Sequence, residues 1–178
     1  VHHYRLMEPG KLPVTGTKYI EGSTFDQVSD KHGNRGALTY TFELKPTNGN
    51  KTTIDITPTS GYEAEFDFGT LEFQTAGTYQ YTIIETPDSQ NKHRVHRDKT
   101  VYTLTVTVDE NLQITTDLKA TLDGVTWDAD EIVFLNVYPT VGDLTLTKKL
   151  VNAQSAPDGF TFHITTDNAT YRDDVKNW

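Results

Sequence analysis

The chain reads as an all-β protein built as a sandwich, on three observations. Apolar residues recur at every second position in one short run after another, and long apolar patterns with helical spacing are missing. Threonine and tyrosine, which suit a pleated and half-buried surface, are abundant. Glycine or proline punctuates the chain about every ten residues, which divides it into six or more short strands joined by turns.

Residues 1–10 are polar and without period, and His2-His3 supplies too few ligands for a metal. Residues 11–20 form the first strand, with Val14, Lys18 and Ile20 in phase. Residues 21–36 hold Asp26, Asp30, Lys31, His32, Gly33 and Asn34. They lack the order of acids in a calcium loop, so the segment is expected to be a solvated excursion. Residues 37–44 are a clean strand with Leu38, Tyr40, Phe42 and Leu44 inward, and Asn48-Gly49 marks the next turn.

Residues 51–57 continue the sheet with Ile54 and Ile56 inward. Residues 62–73 alternate through Ala64, Phe66 and Phe68 and then through Leu71 and Phe73, which predicts a bulge at Gly69 between the two phases. Ala76-Gly77 turns the chain into residues 78–86, where Tyr79, Tyr81, Ile83 and Glu85 share one face. Residues 87–99 are the one basic stretch, with Lys92, His93, Arg94, His96, Arg97 and Lys99, and are expected to be a hydrated loop across the ends of the sheets. Residues 100–108 and 112–122 pair as a hairpin, Asp123-Gly124 is a further turn, and residues 131–138 close the domain.

Residues 140–143 form a short linker, after which the pattern restarts. Leu144, Leu146, Lys148 and Leu150 alternate much as Val14, Gly16, Lys18 and Ile20 do, and Gly159 to Ile164 echo the strand at 39–44. Residues 144–178 therefore read as the first strands of a second, incomplete β-domain, since two strands bury no core of their own.

The formal net charge of -9 argues against nucleic acid or an anionic membrane surface as partner. Cysteine is absent, which removes disulfides and thiolate metal sites. No apolar run approaches the roughly 20 residues that cross a bilayer, so no membrane contact is expected in this stretch. Nothing calls for a cofactor or a metal. The ends at Val1 and Trp178 give the chain the look of a piece of something longer.

Three strands break alternation in the same way. Glu85 is in phase with Tyr79, Tyr81 and Ile83, Asn136 with Ile132, Phe134 and Tyr138, and Lys18 with Val14 and Ile20. Burying a carboxylate without a partner costs several kcal/mol, so these polar residues need one another or need water. A lysine, a glutamate and an asparagine on the apolar faces of the first, a middle and the last strand form a constellation.

Four segments, in order, carry a family likeness: Val14-Thr15-Gly16-Thr17-Lys18 ahead of Tyr40 to Leu44, then Gly77 to Glu85, Tyr102 to Val108, and Phe134 to Tyr138. In order and spacing they resemble the pilin isopeptide-linkage domain of Gram-positive surface proteins, over residues 11–139. The resemblance implies an immunoglobulin-like, Cna-B-type β-sandwich. It also implies an amide formed spontaneously between a lysine on the first strand and an asparagine on the last, promoted by a glutamate. By position these are Lys18, Asn136 and Glu85, and Lys148 would be the equivalent lysine of the next domain.

The chemistry needs a neutral amine, and burial favours that form. A protonated Glu85 is expected to donate to the Asn136 carboxamide oxygen and to shuttle protons as ammonia departs. The reaction happens once per molecule, so the chain is not an enzyme.

The resemblance further implies an extracellular, cell-wall-anchored stalk or backbone module whose partners are neighbouring domains of the same surface protein or pilus. The alternative is a ligand-binding adhesin head that meets a host receptor through the basic loop at 92–99. Glycoside hydrolysis fits poorly, because no acid pair has a recognisable setting. Leu12-Pro13-Val14-Thr15-Gly16 matches the LPxTG signal cut by sortases but lacks the apolar span and basic tail of a working signal, and reads as coincidence. Val137-Tyr138-Pro139 is followed by Thr140, where shaft subunits carry the linking lysine, which points to a tip, stalk or internal domain.

Overall fold

The computed structural model describes residues 7–30, 32, 34–87 and 95–138. The chain divides into two units, 1–138 and 139–178, and the expectations placed on 139–178, Lys148 among them, lie outside the described residues, as do Lys92, His93 and Arg94. Among the described residues all regular structure is strand. The strands are β1 (Gly10–Glu21), β2 (Tyr40–Pro46), β3 (Thr52–Ile56), β4 (Glu63–Phe73), β5 (Gly77–Glu85), β6 (Val101–Val108), β7 (Ile114–Leu122), β8 (Val125–Asp128) and β9 (Val133–Val137).

They form two sheets, one of order β4-β1-β9 and one of order β3-β2-β5-β6-β7-β8, the two layers of an all-β sandwich. The smaller sheet is mixed: β1 pairs antiparallel with β4 and parallel with β9, with Lys18 opposite Phe134 and Ile20 opposite Asn136. First and last strands are thus neighbours. Two-residue periodicity sends alternate side chains inward, and Phe42, Phe66, Ile83, Val106 and Phe134 are almost fully buried. Phe42 and Phe66 stack with centroids 3.9 Å apart, and Tyr102 meets Phe134 edge-on at 5.3 Å. Each such ring contributes roughly 2 to 3 kcal/mol by leaving water.

The bulge falls where the change of phase in β4 places it. Asp67 to Thr70 spans three steps opposite the two from Thr15 to Pro13, and Gly69 takes a positive φ of 85° there. The extra residue lets both halves of β4 keep their apolar side chains inward.

Two expectations need correction, and one strand beyond an expected turn was not foreseen. The excursion at 21–36 is not simply solvated: Phe25 and Val28 are fully buried in the core, with Phe25 edge-on to Tyr40 at 5.7 Å. Two isolated apolar residues in a polar segment carry no period, which is why the pattern missed them. Residues 37–39 precede β2, which instead runs on to Pro46. The turn at Asp123 and Gly124, both at positive φ, is a tight hairpin into β8, an exposed strand whose apolar residues Val125 and Trp127 face solvent and so give no inward signal. The LPVTG sequence lies inside β1 and pairs with β4 on both sides of the bulge.

Candidate functional site

Three strands bring three polar side chains to one point in the core. Lys18 on β1, Glu85 at the end of β5 and Asn136 on β9 are 0%, 3% and 1% exposed. Lys18 Nζ donates to Glu85 Oε2 at 2.8 Å, and Asn136 Nδ2 donates to Glu85 Oε1 at 2.6 Å. One carboxylate therefore holds the lysine amine and the asparagine amide side by side, one on each oxygen. Every buried side-chain polar atom among the described residues has a partner.

The site's walls set its electrostatics. Burial pulls the Lys18 ammonium down to about 8, against the opposing pull of the Glu85 charge and hydrogen bond and the more distant Asp98 charge. The Lys18 nitrogen lies 5.2 Å from the centroid of the Tyr40 ring, a position that gives a cation partial compensation for lost water. Tyr40 is itself pushed up to about 12 by burial, and its hydroxyl shares a 2.8 Å hydrogen bond with that of Tyr138. The amine therefore gives up its proton in much milder alkali than an exposed lysine does.

Sequence reasoning missed the fourth side. Residues 95–99, the described end of the stretch expected to be a hydrated loop, bring Arg97 and Asp98 to the cluster. The Asp98 main-chain N–H donates to Asn136 Oδ1 at 2.8 Å. Arg97 Nη1 donates to the Glu85 and Asp98 main-chain oxygens. His96 exchanges main-chain hydrogen bonds with Val137 and so fastens the segment to β9. One local signal was present: Asp98 followed by Thr100 just ahead of a strand is the pattern of a side chain that bonds its own backbone two residues on. Nothing in that pattern says which residue the turn will face.

The amide orientation also differs from the expected one. An N–H donor opposite a carboxamide must face its oxygen, so Asp98 takes Oδ1 and leaves the NH₂ group to Glu85. Glu85 therefore faces the NH₂ nitrogen of Asn136 and not, as the residue types suggested, its oxygen.

The family model of the Spy0128-like isopeptide containing domain matches residues 14–139. The chain belongs to this family. Its fold is also that of the major pilin protein T-13 of Streptococcus pyogenes, at 17% identity and a TM-score of 0.51, over 72% of this chain and 54% of that one. A second major pilin of the same organism matches at 22% identity and a TM-score of 0.44, over 71% of this chain and 50% of the pilin. The chain thus spans about half the length of each pilin. No curated protein matches it. The matched stretch of this isopeptide family contains Lys18, Glu85, Asp98 and Asn136 together.

Proposed function

We propose that residues 11–139 are a structural stalk or backbone module of a Gram-positive surface pilus or fibrillar adhesin, exported and anchored to the cell wall, and braced by an amide that forms by itself between Lys18 and Asn136. The observation that carries the reading is the pair of hydrogen bonds that seats Lys18 Nζ and Asn136 Nδ2 on the two oxygens of buried Glu85. Family membership supports it independently. A buried lysine, glutamate and asparagine kept only for stability would be hard to account for, since apolar replacements of similar volume often do as well or better.

The groups present suffice for the chemistry. A neutral Lys18 amine adds to Cγ of Asn136, and the fold supplies the proximity by pairing β1 with β9. Glu85 takes one proton from Nζ and passes it to Nδ2, so that ammonia leaves and the second Nζ hydrogen remains on the new amide. No external reagent is consumed, and Glu85 ends as it began. The reaction is a single self-modification.

The mechanical consequence follows from the topology. Because β1 and β9 are parallel, the chain enters at Gly10 and leaves beside Glu21, about 36 Å further along at 3.3 Å per residue. Tension on the two ends shears β1 against β9. With the amide in place the load runs from Gly10 to Lys18, across to Asn136 and out, and the residues between the two bridgeheads carry none of it. In series with like domains, this is a fibre that does not lengthen by unfolding.

Intact mass of the folded chain tests the reading. The expected result is a deficit of one ammonia in the wild type and the full mass in Lys18→Ala and Glu85→Ala; a wild type at full mass overturns it.

A further inference from the structure

We propose that the main-chain N–H of Asp98 is the catalytic donor that polarises the Asn136 carbonyl during amide formation, and that the Asp98 carboxylate is the positioning group that holds this N–H in place. The inference rests on the amide reading above and assigns a task which that reading leaves open. Both oxygens of Glu85 are occupied by nitrogen donors, so Glu85 does not serve Asn136 Oδ1. Negative charge nevertheless has to develop on that oxygen.

The balance makes the need explicit. When the Nζ lone pair forms the new bond to Cγ, the C=O π pair moves onto Oδ1. One Nζ proton then travels through Glu85 to Nδ2, the Cγ–Nδ2 bond breaks with its electrons going to ammonia, and the pair on Oδ1 closes the carbonyl again. A donor fixed at 2.8 Å from Oδ1 lowers the cost of the charged intermediate, and the bond is strengthened because the acceptor, Asn136, is itself buried.

Asp98 is built to stay where it is. Its Oδ1 accepts from the Thr100 N–H at 2.9 Å and the Thr100 hydroxyl at 2.6 Å, and its Oδ2 accepts from the Leu135 N–H at 2.8 Å. The last of these ties the residue to the neighbour of Asn136 on β9, so donor and acceptor move together. The same N–H selects the rotamer of the carboxamide that presents NH₂ to the proton carrier.

The test is the time course of ammonia loss, followed by intact mass after the full-length, uncrosslinked chain is diluted from denaturant at a series of pH values. Replacing Asp98 by L-malic acid turns its N–H into an ester oxygen and keeps the carboxylate. We expect closure about 100-fold slower, the scale of one lost oxyanion donor, with an unchanged pH midpoint, because the groups facing Lys18, namely Glu85, Asp98, Arg97 and the Tyr40 ring, all remain. Asp98→Ala should be slower by about 10-fold, and Asp98→Asn, which keeps one acceptor for Thr100, should lie between it and the wild type. Loss of the Asp98 charge by itself eases deprotonation of Lys18 and works toward faster closure, so slowing in these variants reports the lost positioning.

An ester chain that closes at the wild-type rate overturns the inference and leaves the amide reading standing. A wild type that never loses ammonia removes both. If the ester chain does not give the dispersed NMR spectrum of a folded domain, the alanine and asparagine variants decide, and wild-type rates in both overturn the proposal.

Discussion

Two lysine–carboxylate pairs in this domain have nearly the same length and opposite chemistry. Lys18 and Glu85 meet at 2.8 Å with side chains 0% and 4% exposed, whereas Lys119 and Asp128 meet at 2.6 Å on the β7–β8 hairpin with 46% and 86% exposed. On the hairpin the partners' hydrogen bond and charge raise Lys119 above its ordinary value. In the core the same kind of partner fails to offset the loss of water, and Lys18 falls to about 8. Distance does not distinguish a lysine pulled toward its neutral form from a surface ammonium. Desolvation does.

The comparison is broken most severely at Glu85. Glu85→Ala should lose the amide, worth about 4 to 5 kcal/mol for a loop on the order of 100 residues in the chain-entropy model. It should also leave the buried Lys18 amine without its hydrogen-bond acceptor, at about 1 to 3 kcal/mol more. Denaturant unfolding of wild type and variant measures the difference, and a variant as stable as the wild type would contradict it. Phe66→Ala, which empties the stacked position against Phe42 beneath the site, should cost about 3 to 5 kcal/mol and leave the ammonia deficit in place in whatever fraction folds.

A subtler effect is one of pH. Below about 8 the folded Lys18 holds its proton and has no lone pair to offer, so the rate of amide closure should rise with pH through about 8 and then level. In Asn136→Ala, which cannot close, the same shift appears as stability. Between about 8 and the ordinary lysine value the unfolded chain binds a proton that the folded chain does not, so stability should increase as pH rises through that window. Lys119 contributes with the opposite sign, since a raised lysine contributes stability that is lost on going more alkaline. The smallest effect is expected at the hairpin: Lys119→Ala should leave the melting temperature and the ammonia deficit where they are, because exposed pairs in water are screened and entropically costly.

How legible each part was follows from range. β1, β4, β5, β6 and β9 stand out in the sequence because each alternates over five or more residues, and alternation is a property of the strand itself. Even the bulge at Gly69 is local, a change of phase visible within one segment. By the same logic Lys18, Glu85 and Asn136 were found as violations of alternation. Phe25 and Val28, buried from a loop, and β8, whose apolar residues face outward, left no periodic trace because nothing local forces them. The contact of Asp98 with Asn136 was hidden for a related reason: it is made by the backbone, and every residue except proline has the same N–H.

The amino-acid order alone determined which residues face inward and therefore that an amine, an acid and an amide would be denied water, since two-residue periodicity fixes the side of a strand on which each side chain falls. Only the tertiary structure decided that the three meet, which end of Asn136 faces Glu85, and that the basic segment supplies a donor from above. Those outcomes depend on the parallel pairing of β1 with β9 and on residues 96–98 bonded to Glu85, Asn136 and Val137, contacts between residues far apart in the chain whose relative placement no local pattern encodes.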